Sequence, residues 1–166
     1  MADDDRLEYE PIGVIHTPFD SPDGMPIQPA GADGTVGTVE LEESCTEGLE
    51  DLEDFSHCIL LYHFHATDED VSMHVEPFLD DVERGLFATR APKRPNQIGL
   101  SVVEIVDVDG TELSVRGIDV VDGTPLIDVK PFVPEFDVPH RDTIETGWMD
   151  ASRQRVGSRR ADDRFC

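Results

Sequence analysis

Apolar and polar residues alternate along much of this 166-residue chain in short stretches broken by turn-forming residues. Tyr9 to His16 predicts a strand stopped by Thr17-Pro18, and Gly37 to Leu41 predicts a second. Between them, residues 19–34 hold Pro22, Pro26 and Pro29 with Gly24, Gly31 and Gly34, and read as an irregular loop. Thr46 to Phe55 places Leu49, Leu52 and Phe55 on one side of a two-turn helix with acids between. Ser56 to Phe64 is the most apolar run and predicts a buried central strand. Residues 66–84 are acidic and loop-like around Pro77.

Leu86 to Thr89 and Leu100 to Val106 predict strands on either side of a loop that Pro92 and Pro95 stiffen. Thr111 to Gly117 and Ile118 to Val121 follow as short strands. Asp122-Gly123-Thr124-Pro125 is a turn in which Pro125 halts pairing, and Leu126 to Lys130 is a last strand closed by Pro131. After Pro139 an amphipathic helix is expected over Ile144 to Arg155, carrying Trp148 and Met149.

Short strands without long intervening helices favour a mainly β, single-domain, small antiparallel or mixed β-barrel, with short helices and a C-terminal helical segment. The expected organisation is a charged lead-in over 1–8, the barrel over 9–138, and a helix with an arginine-rich tail over 139–166. No GxGxxG follows a strand, so a Rossmann nucleotide site is not indicated. With no membrane-length apolar run and no secretory h-region, a soluble cytoplasmic protein is expected. Cys45, Cys58 and Cys166 form neither a zinc pattern nor a disulfide framework.

Charge changes this picture. The formal net charge is −24, from 37 acidic and 13 basic residues, and Lys93 and Lys130 are the only lysines. An acidic, lysine-poor globular chain fits a cytoplasm at molar salt, where the screening length shrinks to about 3 Å, and predicts a halophilic protein. Overall charge argues against nucleic acid as a partner. Its distribution argues the other way, because eight cations fall in two stretches. Arg90, Lys93 and Arg94 lie in the stiffened loop, and Arg153, Arg155, Arg159, Arg160 and Arg164 in the tail. The loop is either a surface connection or the seat of chemistry. The tail is either a phosphate-binding patch or a solvated terminus.

His57, His63 and His65 share strand parity, which suggests a metal-dependent barrel hydrolase. Against that, His57 and His63 are separated by roughly 20 Å of strand rise, too far for a shared ion. No metal is therefore assigned. Asp122, Asp128 and Lys130 bracket the second turn, either to position a ligand or to cap the turn.

Four blocks, in order, resemble the TsaA-like (TrmO) family. They are Ile12 to Phe19 (IGVIHTPF), Gly48 to His57 (GLEDLEDFSH), Thr89 to Ser101 (TRAPKRPNQIGLS) and Asp119 to Pro131 (DVVDGTPLIDVKP). The likeness covers roughly residues 9–135. It implies a small dimerising β-barrel that uses S-adenosylmethionine to methylate N6 of threonylcarbamoyladenosine, the base 3′ of the tRNA anticodon. By position, the resemblance assigns cofactor contacts to Thr17, Pro18, Phe19, Ser56, His57, Arg90, Leu100, Asp122, Gly123, Thr124 and Pro125. Arg90, Asp122, Asp128 and Lys130 are the catalytic candidates, and Lys93, Arg94 and Asn96 the substrate contacts. Asp122, Asp128 and His57 are each able to accept the proton that the attacking nitrogen sheds. Arginine suits phosphate or the threonyl carboxylate through a bidentate fork. Two departures stand out: Gln97 replaces the usual second proline, which is expected to loosen the loop, and Phe132 replaces a tyrosine. A non-enzymatic module that binds S-adenosylmethionine or a nucleotide is the alternative from a different class.

Overall fold

The computed structural model describes residues 6–25, 34–68 and 70–149. Six strands close into an antiparallel barrel: β1 (Gly13–His16), β2 (Val36–Leu41), β3 (His57–His63), β6 (Ile98–Asp109), β7 (Glu112–Arg116) and β8 (Thr124–Pro131). Their order around the barrel is β1-β2-β7-β6-β3-β8. Closure leaves no strand edge in the barrel unpaired. A separate two-stranded ribbon joins β4 (His74–Val75) to β5 (Arg84–Gly85).

Alternation decides what enters the barrel. Ile15, Val39, Cys58, Leu60, Tyr62, Val103, Leu113, Val115 and Leu126 are buried in one cluster, which Leu49, Leu52, Ile118 and Val120 extend. The 12-residue β6 is long enough to serve two neighbours. Its first half pairs with β3 (Ile98↔His63 to Glu104↔His57) and its second with β7. A register shift between Ile105 and Asp107 lies where it turns from one to the other. Gly13 is needed where β1 and β2 approach, since a Cβ there would stand 2.4 Å from the Glu40 carbonyl oxygen.

The mainly β barrel expected from the sequence is the observed fold, but several local expectations are corrected. The first strand covers only Gly13–His16. The helix expected over Thr46 to Phe55 is instead two 3-10 segments, Glu43–Leu49 and Leu52–Asp54, parted where Asp51 takes φ 65°. Leu86–Ala88 is a 3-10 turn, not a strand. Ile118 to Val121 is not a strand either, because its bonds cross rather than pair. The Thr17 hydroxyl donates to the Val120 carbonyl, and the Asp122 N–H donates to that of Phe19. Pro125 does not halt pairing: β8 begins at Thr124, and Pro125 sits opposite Val14. A four-residue helix, α1 (Pro134–Asp137), starts with proline at its first turn, and a 3-10 turn covers Arg141–Thr143. Of the helix expected over Ile144 to Arg155, the described part shows only a short 3-10 turn over 147–149, which opens at Gly147 with φ 56°. Residues 150–155 and the five tail arginines lie outside the described residues.

Candidate functional site

The barrel has two ends, and the cavity lies at one of them. The C-terminal end of β3, the N-terminal end of β6 and the start of β8 meet there. Beside them the ribbon β4–β5 and the loop after it carry a second small core of Val75, Leu86 and Ala91 with Phe78 packed on it. Between barrel and flap is a cavity of about 330 Å³. Its size lies at the lower end of the range for small-molecule sites. The barrel contributes Tyr62, Phe64, Gly99 and Leu100; the flap contributes Phe78, Leu79 and the loop Thr89 to Pro92. Trp148 and Met149 close a third side. Trp148 is fixed by its indole N–H, which donates to the Ala88 carbonyl at 2.8 Å, and by the Arg84 guanidinium 5.4 Å from its ring centroid.

The stiffened loop does reach this cavity. Arg90 lines it while donating to the Leu100 carbonyl at 2.8 Å. Arg94 also lines it, but donates to the Thr89 and Ala91 carbonyls at 3.1 and 3.2 Å, so part of its guanidinium is used in shaping the loop. Lys93 faces Asp68 at 3.5 Å, and Asn96 is exposed; neither lines the cavity. Gln97 anchors the loop instead of loosening it, because its amide donates to the Thr67 and Asp68 carbonyls at 3.4 and 3.1 Å.

The second turn arrives from the other side. Val120, Val121 and Thr124 line the cavity, whereas Asp122, Gly123 and Pro125 do not. Asp122 faces back to β1, where its Oδ1 accepts the Thr17 N–H at 3.0 Å and stands 3.3 Å from His16 Nδ1. That backbone bond, with His16 behind it, holds the Asp122 carboxyl below its ordinary range. Thr17, Pro18 and Phe19 thus join the Asp122 turn just outside the cavity.

Ser56 and His57 are not part of this group. They lie at the opposite end of β3, roughly 17 Å from Tyr62 by strand rise. There the Ser56 hydroxyl and His57 Nδ1 are 2.9 Å apart, and Phe132 meets the His57 ring edge-on at 6.4 Å. Asp128, paired with Lys130 at 2.6 Å, is also outside the cavity. His65 does line it, with Nδ1 at 3.3 Å from the Thr124 hydroxyl. The three histidines are accordingly dispersed. Among the described residues no group of three or more His, Cys, Asp or Glu is placed to hold a metal ion.

The structure adds a feature that the sequence reading left out. Asp119 lines the cavity and is 9% exposed. Its Oδ1 accepts the Ser101 hydroxyl at 2.6 Å, and the Ser101 Oγ is 2.9 Å from the Tyr62 hydroxyl. Ser101 spends its only proton on Asp119, so Tyr62 must donate to Ser101. The polarity of the chain is therefore fixed: Tyr62 to Ser101 to Asp119. Burial pushes the Asp119 carboxyl from 3.8 up to about 6, against the opposing pull of the Ser101 hydrogen bond and of Arg90. Burial, and next the Asp119 charge, raise the Tyr62 phenol. The sequence signal was a carboxylate inside the apolar run Ile118-Asp119-Val120-Val121, a place where an aspartate is costly unless hydrogen-bonded. Gly99 completes the arrangement. It is paired with Tyr62, and a Cβ at 99 would lie 2.1 Å from a Tyr62 ring carbon, so only glycine lets the phenol lie across β6 toward Ser101.

Comparison with known proteins agrees with this architecture. The family model of the tRNA-methyltransferase O N-terminal domain matches residues 14–138. A Pyrococcus abyssi protein named as a probable S-adenosyl-L-methionine-binding protein is 48% identical over 157 residues, 95% of this chain and 84% of its own. The tRNA (adenine(37)-N6)-methyltransferase of Mus musculus is 33% identical over 81% of this chain and 32% of its own length. The crystal structure of TrmO from Pseudomonas aeruginosa superposes with a TM-score of 0.70 at 36% identity, covering 86% of this chain. This chain spans 62% of that protein's length.

Proposed function

Because the chain belongs to the tRNA-methyltransferase O family, we propose that it uses S-adenosylmethionine to methylate N6 of threonylcarbamoyladenosine beside the anticodon of tRNA. The observation that carries this reading is the cavity itself, where two of the four sequence blocks of the resemblance meet around aromatic residues, arginines and one buried carboxylate. Tyr62, Phe64, Phe78 and Trp148 offer ring faces to a purine, and Arg90 and Arg94 offer cations to phosphate or to the threonyl carboxylate. Asp119 supplies the negative charge that a sulfonium group favours. The residues therefore fit the methyl donor, which when bound supplies an electrophilic methyl group.

The remaining work falls to the chain. It must align donor, methyl and nitrogen, and the stiff loop and barrel rim serve as rigid mounts for that. A base in the anticodon loop is already unpaired, so presenting it to a cavity costs less than opening a duplex. Such a substrate supports a cytoplasmic location. Among the described residues no helix is long and apolar enough to cross a membrane.

We also propose a homodimer. The positions assigned to the cofactor by resemblance divide between the two ends of β3, a separation one small ligand in one chain cannot span. A second copy offering its Ser56 and His57 rim to the cavity would reunite them. Sedimentation of the protein at molar salt tests this, and a monomer at micromolar concentration would refute it.

The functional test is incubation with S-adenosylmethionine and tRNA carrying threonylcarbamoyladenosine, followed by nucleoside mass spectrometry. A methylated threonylcarbamoyl nucleoside is expected, and its absence refutes the reading. The name of the Pyrococcus abyssi relative favours one other possibility, a module that binds S-adenosylmethionine without turnover. Calorimetric binding with no methylated product would select it.

A further inference from the structure

We propose that Asp119 is the catalytic base of this site, taking the proton from the methylated nitrogen while Ser101 and Tyr62 hold its carboxylate in place. The proposal rests on the methyl-transfer reading above. The cavity decides among the acids near it: of the described residues that line it, Asp119 is the only carboxylate. Asp122 is turned to the Thr17 N–H and His16, Asp128 is paired with Lys130, and His57 is at the far end of the barrel.

The charged and titratable groups facing Asp119 come from each neighbouring element. Tyr62 approaches from β3 and Arg90 from the loop before β6; His65, from the segment after β3, and Arg94 line the same cavity. Arg90 favours the ionised carboxylate and burial disfavours it. A carboxyl near 6 is still ionised at neutral pH, yet it is a much stronger base than an ordinary aspartate. His65 is the rival. The Thr124 hydroxyl spends its proton on the Val121 carbonyl at 2.6 Å, so His65 Nδ1 must be the donor to Thr124, which leaves Nε2 as an acceptor. Unlike Asp119, His65 is exposed.

The step balances. The nitrogen forms the new N–C bond as the C–S bond breaks, with that electron pair going to sulfur. The proton of N6 passes to the Asp119 carboxylate, so the positive donor and the negative aspartate both end neutral. Around a carboxylate as buried as Asp119 this mutual neutralisation favours the products.

Three measurements on the full chain at molar salt test the proposal. First, single-turnover methylation of tRNA carrying threonylcarbamoyladenosine should rise with pH and level off once Asp119 is ionised, with the break at or below about 6 because the bound sulfonium favours the carboxylate. Asp119→Asn, measured at saturating S-adenosylmethionine, should lower the plateau by about 100-fold or more and remove the break. Second, in the protein alone, a carbon-13 carboxyl resonance missing from Asp119→Asn should titrate near 6. Third, Ser101→Ala removes a bond that favours the ionised form, so it should move that titration and the kinetic break together to higher pH.

An active wild type whose Asp119→Asn variant keeps its rate within about tenfold, or keeps the break, overturns the proposal alone. So does a break that His65→Asn removes and Asp119→Asn does not. A wild type that binds S-adenosylmethionine but methylates no tRNA overturns the methyltransferase reading, and this proposal with it.

Discussion

Replacing Asp119 by asparagine should make the protein more stable at neutral pH. In the unfolded chain this carboxyl titrates near 3.8, and in the folded chain burial raises it to about 6. Between those values the folded state holds a proton that the unfolded state has lost. Stability is therefore fully present below the lower value, falls as pH rises through the upper one, and is level beyond. At about 1.36 kcal/mol per pH unit, the total loss is about 3 kcal/mol, of which about 2 kcal/mol falls between about pH 4.5 and about pH 8. Asparagine keeps an oxygen for the Ser101 hydroxyl and does not titrate, so it escapes this loss. The gap in stability between Asp119→Asn and wild type should thus widen by about 2 kcal/mol over that range, or about 4–8 °C in Tm for a chain of this size. Urea unfolding at molar salt, with both proteins measured at each pH, reads it directly. Curves that run parallel across pH, or a variant that falls behind wild type on the alkaline side, would refute the burial reasoning.

Arg90→Ala should abolish methylation and leave stability within about 1 kcal/mol, because the side chain is exposed and its hydrogen bond is to the Leu100 carbonyl; unimpaired turnover would remove it from the site. Gly99→Ala forces the Tyr62 ring out of place and should cost about 1–3 kcal/mol in urea unfolding while weakening S-adenosylmethionine binding; wild-type stability and binding together would refute the role given to Gly99. With a net charge of −24, Tm should rise steeply between about 0.1 and about 1 M KCl as the screening length falls from about 10 to about 3 Å. A flat Tm over that range would show that the acidic surface is not an adaptation to salt.

The barrel was legible because alternation is a local signal. Leu60 and Tyr62, or Val103 and Ser101, announce one face of a strand whatever surrounds them. What misled was context. Ile118 to Val121 has a strand's residue types, yet its neighbours are backbone groups that cross it, and nothing in the sequence names them. The helix predicted around Leu49 and Leu52 has those two positions buried, but Phe55 is exposed and the chain breaks at Asp51, whose left-handed backbone no apolar period can reveal. For the site, the cationic loop and the Asp-Gly-Thr-Pro turn drew notice by composition. Asp119 did not, since its effect depends on Ser101 and Tyr62, which are 18 and 57 residues away in sequence and close only in the closed barrel. Ser56 and His57 show the converse: a shared block resemblance says nothing about which end of a strand a cavity occupies.

The flap that covers the cavity has a core of its own, only Val75, Leu86 and Ala91 with Phe78 against them, while the barrel beneath is far more extensively packed. Two bodies so unequal should not open together. Amide hydrogens such as those of Leu86 and Thr89, bonded to the Met73 and Leu86 carbonyls, should exchange with solvent through small local openings long before those of β3 or β6 do. A molecule held between flap and barrel would then slow exchange on the flap and scarcely alter it in the barrel, so that occupancy of the cavity is written in one part of the fold alone.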